Sequence, residues 1–145
     1  MNLFSAMEIA ASGLYAQRVR MNALASNLAN AKTTQTAEGG PYKRLDPVFR
    51  AVVAAKRLPN IEGDAFSQEA RLVEVVEVRQ DAGPPQLVYD PEHPDANEDG
   101  YVELPNVNVV EEMVNMITAS RAYEAGVSTT QTLKAMARSA ISIGA

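Results

Sequence analysis

The last forty residues, Asn106 to Ala145, contain no proline and carry apolar side chains at helical spacing. Asn108 followed three residues later by Glu111 reads as a capping-box start, with an amide in place of the hydroxyl. Val110, Met113, Val114 and Ile117, then Leu133, Met136, Ala140 and Ile143, recur at helical steps. At about 1.5 Å per residue, a helix from Val109 to Ile143 is a rod roughly 50 Å long. Helices in globular proteins average three or four turns. A rod of that reach needs a partner along its length, and this requirement restricts what the rest of the chain can do.

The other terminus offers the partner. Ser5 and Glu8 have capping-box spacing, and Phe4 and Ile9 stand at the positions of a hydrophobic staple. Met7, Leu14, Met21 and Leu28 fall seven residues apart, and Leu3, Ala10 and Leu24 fill most of the second heptad position, with Gln17 as the exception. The expected helix runs from about Ser5 to about Ala31. Gly13 inside it costs roughly 1 kcal/mol relative to alanine. Two long terminal helices separated by a middle block close most simply as an antiparallel pair. The expected fold is therefore α+β: an antiparallel, coiled-coil-like pair of terminal helices with a small β-rich module inserted between them.

Composition places the boundaries. All eight prolines and five of the eight glycines lie between Glu38 and Pro105. Charge divides the same way: residues 1–35 carry net +2, residues 36–105 carry net −7, and residues 106–145 are neutral, giving −5 for the chain. The organisation expected is a helical segment 1–35, a middle module 36–105 and a helical segment 106–145. The terminal helices are nearly uncharged, whereas a helix bathed in solvent normally carries more Lys and Glu. Small uncharged side chains on all faces fit helices covered by neighbours.

The acidic balance and the lack of a basic patch exclude nucleic acid as an expected partner. No run reaches eighteen apolar residues, so no membrane-spanning helix is expected. The first twenty residues have no basic n-region, and Glu8 interrupts their apolar part, so they do not read as a cleavable signal peptide. Cysteine is absent, which removes disulfides and thiol chemistry.

Lys32 to Pro41 reads as a loop, with Asn27 and Asn30 as cap and turn residues at the end of the first helix. Phe49–Ala55, Arg71–Arg79 and Gln86–Tyr89 read as strands of a module with three to five strands. Phe49, Phe66, Val73, Val76, Val78, Leu87 and Tyr89 are its expected core. Near seventy residues, such a module is marginal alone.

No motif assembles the convergent groups of an active site, and no cofactor is expected. Asp95, Asn97, Asp99 and Gly100 match the opening of a calcium loop. The match fails at the twelfth position, which is Asn106 instead of a bidentate Glu, and Pro105 blocks the exiting helix. An acidic turn bonded to its own backbone is the simpler reading. His93, the single histidine, has no second ligand or nucleophile beside it and reads as structural or solvated. Arg121 and Glu124 stand at a pairing distance of three residues, and Tyr123 is an anchor for one helix on another or on a neighbouring chain.

Three stretches resemble the bacterial flagellar basal-body rod proteins, most closely their proximal rod subunits. They are Ser26–Thr36 (SNLANAKTTQT, with its Asn-x-x-Asn), Tyr89–Ile117 and Ala119–Ala137. Gly126 departs from the pattern, since the family usually has Asn there. The resemblance implies a non-enzymatic structural protein, exported without a cleaved signal by the flagellar type III apparatus. Its implied partners are copies of itself, other rod subunits and the basal-body adaptor at the rod base, in a hollow rod crossing the periplasm. The residues expected to carry the packing are Met7, Leu14, Met21, Leu24 and Leu28, with Asn27 and Asn30, on the first helix. On the second they are Val110, Met113, Val114, Ile117, Arg121, Tyr123, Val127 and Leu133. The first stripe is expected to pack on the second and both to touch neighbouring subunits. A non-polymerising helical-hairpin adaptor and a small calcium-binding module are the alternatives.

Overall fold

A computed structural model describes residues 3–53 and 70–143. Helix α1 spans Leu3–Ala29 and helix α2 spans Val109–Ile143. Between them lie strands β1 (Leu45–Val53), β2 (Arg71–Gln80), β3 (Gln86–Tyr89) and β4 (Tyr101–Leu104). The architecture is α+β, with two long packed helices and two small β-ribbons between them in sequence. Phe66, Ala54 and Ala55, assigned to the module from sequence, lie outside the described residues.

The helices run antiparallel. Asn27 bonds Glu112, Leu24 and Asn115 line one cleft, and Leu14 sits against Gly126. The same register brings Gln17 to the level of Tyr123 and Met7 to the level of Leu133. The enclosed positions of α2 include Glu112, Met116, Ala119, Tyr123, Gly126, Thr130, Leu133 and Ala137, which alternate steps of four and three. That is a heptad seam. It is not the seam expected from the first apolar cluster: Val110, Met113, Val114 and Ile117 lie on the opposite face, 48–70 % exposed. Two local features turn the helix this way. Glu112 is held inward by polar partners, and Ala119 and Gly126 let α1 approach closely. A β-carbon at Gly126 would stand 2.9 Å from Leu14 Cδ2, so the missing side chain is the space Leu14 occupies.

The helix starts differ. Asn108 caps α2 as expected, its Oδ1 accepting the N–H groups of Val110 and Glu111. Ser5 does not cap α1; it is buried within a helix already formed at Leu3. Ile9 packs on Leu72 of β2 and on Ala70 before it, and Phe4, its expected staple partner, is 75 % exposed.

β1 and β2 form an antiparallel ribbon whose register slips between Val48 and Phe49, leaving Val76 as an extra residue on β2. Pro47 is tolerated in β1 because a two-stranded ribbon leaves one edge of each strand unpaired. β3 and β4 make a second antiparallel ribbon. Among the described residues neither ribbon has a third strand, and the burial of these residues corrects the expected core. Phe49, Val73, Val76, Val78, Leu87 and Tyr89 are all exposed. The buried positions are Ala70 and Leu72 beneath α1, and Val102, Pro105 and Val107 where β4 turns into α2. Each ribbon buries one face only, and the alternation places Leu72 inward and Val73 outward.

Candidate functional site

The most densely bonded region is the junction where α1 ends, α2 begins and β1 starts. Asn27 is fully buried there. Its amide nitrogen donates to the Leu45 carbonyl at 2.9 Å and to Glu112 Oε2 at 3.0 Å. Its amide oxygen accepts the Leu45 N–H at 2.7 Å and the Tyr42 hydroxyl at 3.0 Å. Two donors and two lone pairs are the whole capacity of an asparagine amide, so every position is used. The side chain pairs with Leu45 as a neighbouring strand would, supplying the first rung of β1 from a helix. Ser26 Oγ lies 3.0 Å from the Tyr42 oxygen and donates to it, since the Tyr42 proton goes to Asn27.

Glu112 is 1 % exposed and is held from the other side by Arg44, whose Nε donates to Oε1 at 2.7 Å. A carboxylate buried this deeply is tolerable only when paired and hydrogen-bonded. Partial burial works to lower the Arg44 pKa, but the hydrogen bond and charge of Glu112, with Asp46 and Asp81 near it, raise it above the ordinary arginine value. A raised folded-state pKa stabilises the fold below the unfolded value and is lost only as pH rises through the folded one. For an arginine that window lies above any working pH, so its charge is constant in use.

Asn30 behaves as the cap-and-turn residue expected, donating to the Ser26 carbonyl and accepting the Thr33 hydroxyl. Asn27 does not; it is a buried bridge between three elements. Glu112, Arg44 and Tyr42 were missed by sequence reasoning. No local signal marked them, because a glutamate in the first turn of a helix is favoured by the helix dipole with or without a cation nearby.

Among the remaining expected packing residues, Leu24 is buried, while Met7, Leu14, Met21 and Leu28 are half-buried. Tyr123, Val127 and Leu133 are half-buried too, and Arg121 is exposed. Glu124 accepts the Ser120 hydroxyl instead of an Arg121 guanidinium. Gln17 interrupts the apolar stripe of α1, and its amide oxygen is enclosed without a hydrogen-bond partner.

The residues that open like a calcium loop are engaged with their own backbone. Asn97 Oδ1 accepts the N–H groups of Asp99 and Tyr101, and Gly100 turns the chain at φ +79°. Asp95 accepts the Thr34 hydroxyl at 2.7 Å, tying this loop to the segment after α1. His93 Nδ1 accepts the Asp95 N–H. Among the described residues no group of three or more His, Asp or Glu is placed to hold a metal ion, and no helix is long and apolar enough to cross a membrane.

The hydroxyls of α2 are also turned inward on their own helix. Thr118, Thr129, Thr130 and Thr132 each donate to the carbonyl four residues back, and Ser142 to the carbonyl three back.

Residues 7–34 match the family model described as flagella basal body rod protein, and residues 98–143 match the C-terminal model of the flagellar basal body rod FlgEFG proteins. The chain is 43 % identical over 152 aligned residues to the flagellar basal-body rod protein FlgC of Borreliella burgdorferi, covering 99 % of this chain and 98 % of the relative. It is 50 % identical over 125 residues to that of Aquifex aeolicus, covering 86 % and 84 %. It is 38 % identical over 144 residues to that of Salmonella typhimurium, covering 99 % of both chains.

Proposed function

The chain belongs to the flagellar basal-body rod protein family and is a structural subunit of the rod; we propose that it assembles through the outer face of α2 while the junction around Asn27 holds each subunit in shape. The observation that carries this is the stripe Val110, Met113, Val114 and Ile117, turned away from α1 and 48–70 % exposed. A contiguous apolar stripe on a rigid helix is a surface that another chain covers. Its spacing suits a neighbouring helix laid along it. Tyr123 and Leu133 face the seam with α1 and stay half-buried in the monomer, leaving room for neighbouring chains at the edges of the helix pair.

On this reading the subunit stands in the proximal part of the rod, among copies of itself and other rod subunits, with the adaptor protein at the rod base as a further neighbour. It reaches the periplasm by flagellar type III export, a route suited to a chain that crosses unfolded and needs no disulfide. Its work is mechanical: holding a lattice, transmitting torque and lining an axial channel. We read it as non-enzymatic and without a cofactor.

The test is Val114→Asp with Ile117→Asp. Both positions are exposed, so the purified monomer should keep its circular dichroism spectrum and melting temperature. The variant should nevertheless fail to enter isolated basal bodies and fail to restore swimming to a strain lacking the chain. Normal incorporation of the double variant would sink the proposal. Leu24→Asp is a poorer probe, because Leu24 is 5 % exposed and a carboxylate there would unfold the monomer itself.

A further inference from the structure

The second ribbon presents an open apolar face. Register pairs Leu87 with Glu103 and Tyr89 with Tyr101, so these four share one side of the β3–β4 sheet. The opposite side carries Val102, which is 3 % exposed. Leu87 and Tyr89 are among the most exposed apolar residues described, at 62 % and 66 %. The two tyrosine rings are held in a fixed arrangement, edge to face with centroids 5.3 Å apart. Tyr89 also lies over Gly100, where a β-carbon would come within 2.9 Å of the ring. This platform is pre-organised, and no described residue covers it.

Charge indicates the occupant. No lysine or arginine stands between Arg79 and Arg121, while nine carboxylates do. Glu103 lies on the platform itself, and Asp90 adjoins Tyr89. Aromatic faces beside carboxylates suit a cation carried on an apolar stem, by cation–π and ionic attraction together. The far end of α2 has that chemistry. After Glu124 it carries Lys134 and Arg138 and no acid. Lys134, Arg138 and Ile141 fall at i, i+4 and i+7, on one exposed strip. Ile141 is 73 % exposed.

We propose that the β3–β4 face of one subunit receives the Lys134–Arg138–Ile141 strip of a second copy of this chain. The two surfaces cannot meet within one molecule. The Thr34–Asp95 bond ties the β3–β4 loop to the junction end of the helix pair. Lys134 lies 25 residues beyond the start of α2, about 38 Å along the helix. A patch at one end meeting a different patch at the other is a heterologous contact, which propagates instead of closing. The proposal rests on the rod reading and adds to it a specific head-to-tail contact outside the helical seam.

The absence of cysteine makes the test direct. Leu87→Cys and Ser142→Cys, both exposed positions, are introduced singly into the full chain and co-expressed in cells lacking it. Basal bodies are then isolated and treated with diamide. The expected product is a disulfide dimer at twice the 15.6-kDa monomer, formed in the mixed population and in neither variant alone. Leu87→Cys with Thr118→Cys, on the near half of α2, should give none. Entry of both variants into basal bodies without the mixed dimer overturns the proposal and leaves the rod assignment standing. Cross-linking of Leu87→Cys solely to a different rod protein overturns the second copy as occupant. A native chain absent from basal bodies removes both readings. Charge reversal checks the chemistry: Lys134→Glu with Arg138→Glu should lower incorporation at least fivefold, and Glu103→Lys with Asp90→Lys should recover it. Unchanged incorporation, or reversal without recovery, counts against the contact.

Discussion

The two ends of the helix pair are held by different means. At the junction end, Asn27 and Glu112 are buried polar groups whose hydrogen bonds are met by β1, Tyr42 and Arg44. At the free end, α2 has no fully buried described residue after Ala119. From Tyr123 to Ala137 it meets α1 through a seam of half-buried side chains. A buried polar network tolerates one arrangement and penalises all others. An apolar seam tolerates small shifts. The junction therefore sets the register and orientation of the two helices, and the free end is left to be completed by other chains.

The largest effect expected from breaking this contrast is at Asn27. Asn27→Ala strands the Leu45 N–H and carbonyl and removes a donor from Glu112, at roughly 1–3 kcal/mol per buried group left unpaired. A loss of about 4 kcal/mol in urea unfolding is expected, and a loss below 1 would show that the network is ornamental. Glu112→Gln comes next. It keeps the shape but removes the charge facing Arg44, and the partly exposed arginine can turn to water, so about 2 kcal/mol is expected. Gly126→Asn fills the space Leu14 occupies, and a cost near 1 kcal/mol is expected as Leu14 is displaced. The double variant with Leu14→Ala should cost less than the two single changes added together; strict additivity would mean that the two residues do not touch. Leu133→Ala sharpens the contrast from the other side. It should cost the monomer less than about 1 kcal/mol, well under the 2–5 typical of a buried leucine, while reducing incorporation into basal bodies. A large loss in the monomer would mean that the free end is already complete.

Much of this was legible in the residues. The long α2 was marked by its proline-free length and by the Asn108 cap, and the antiparallel pairing followed from two terminal helices of matching reach. The face of α2 was not legible. Val110, Met113, Val114 and Ile117 form a better apolar cluster than Glu112, Met116 and Ala119, and hydrophobicity alone selects them. The orientation was decided by a long-range partner, Arg44, that no local pattern reveals. Asn27 was misassigned for a related reason. An asparagine near a helix end is ordinarily a cap, and only the arrival of Leu45, eighteen residues on, turns it into a bridge. The core of the middle module failed on how the strands pair: the four described fall within the three to five expected, but they form two separate ribbons that leave Val73 and Val76 on uncovered faces.

The threonines of α2 carry one more consequence. By composition this helix is polar, and a hydropathy profile treats it as wettable. Three exposed threonines, Thr118, Thr129 and Thr132, give their hydroxyls to the backbone behind them. A neighbouring helix can therefore dry this surface without stripping water from a hydroxyl that has nowhere else to bond. The surface dissolves like a polar one during synthesis and passage, and adheres like an oily one once folded and aligned.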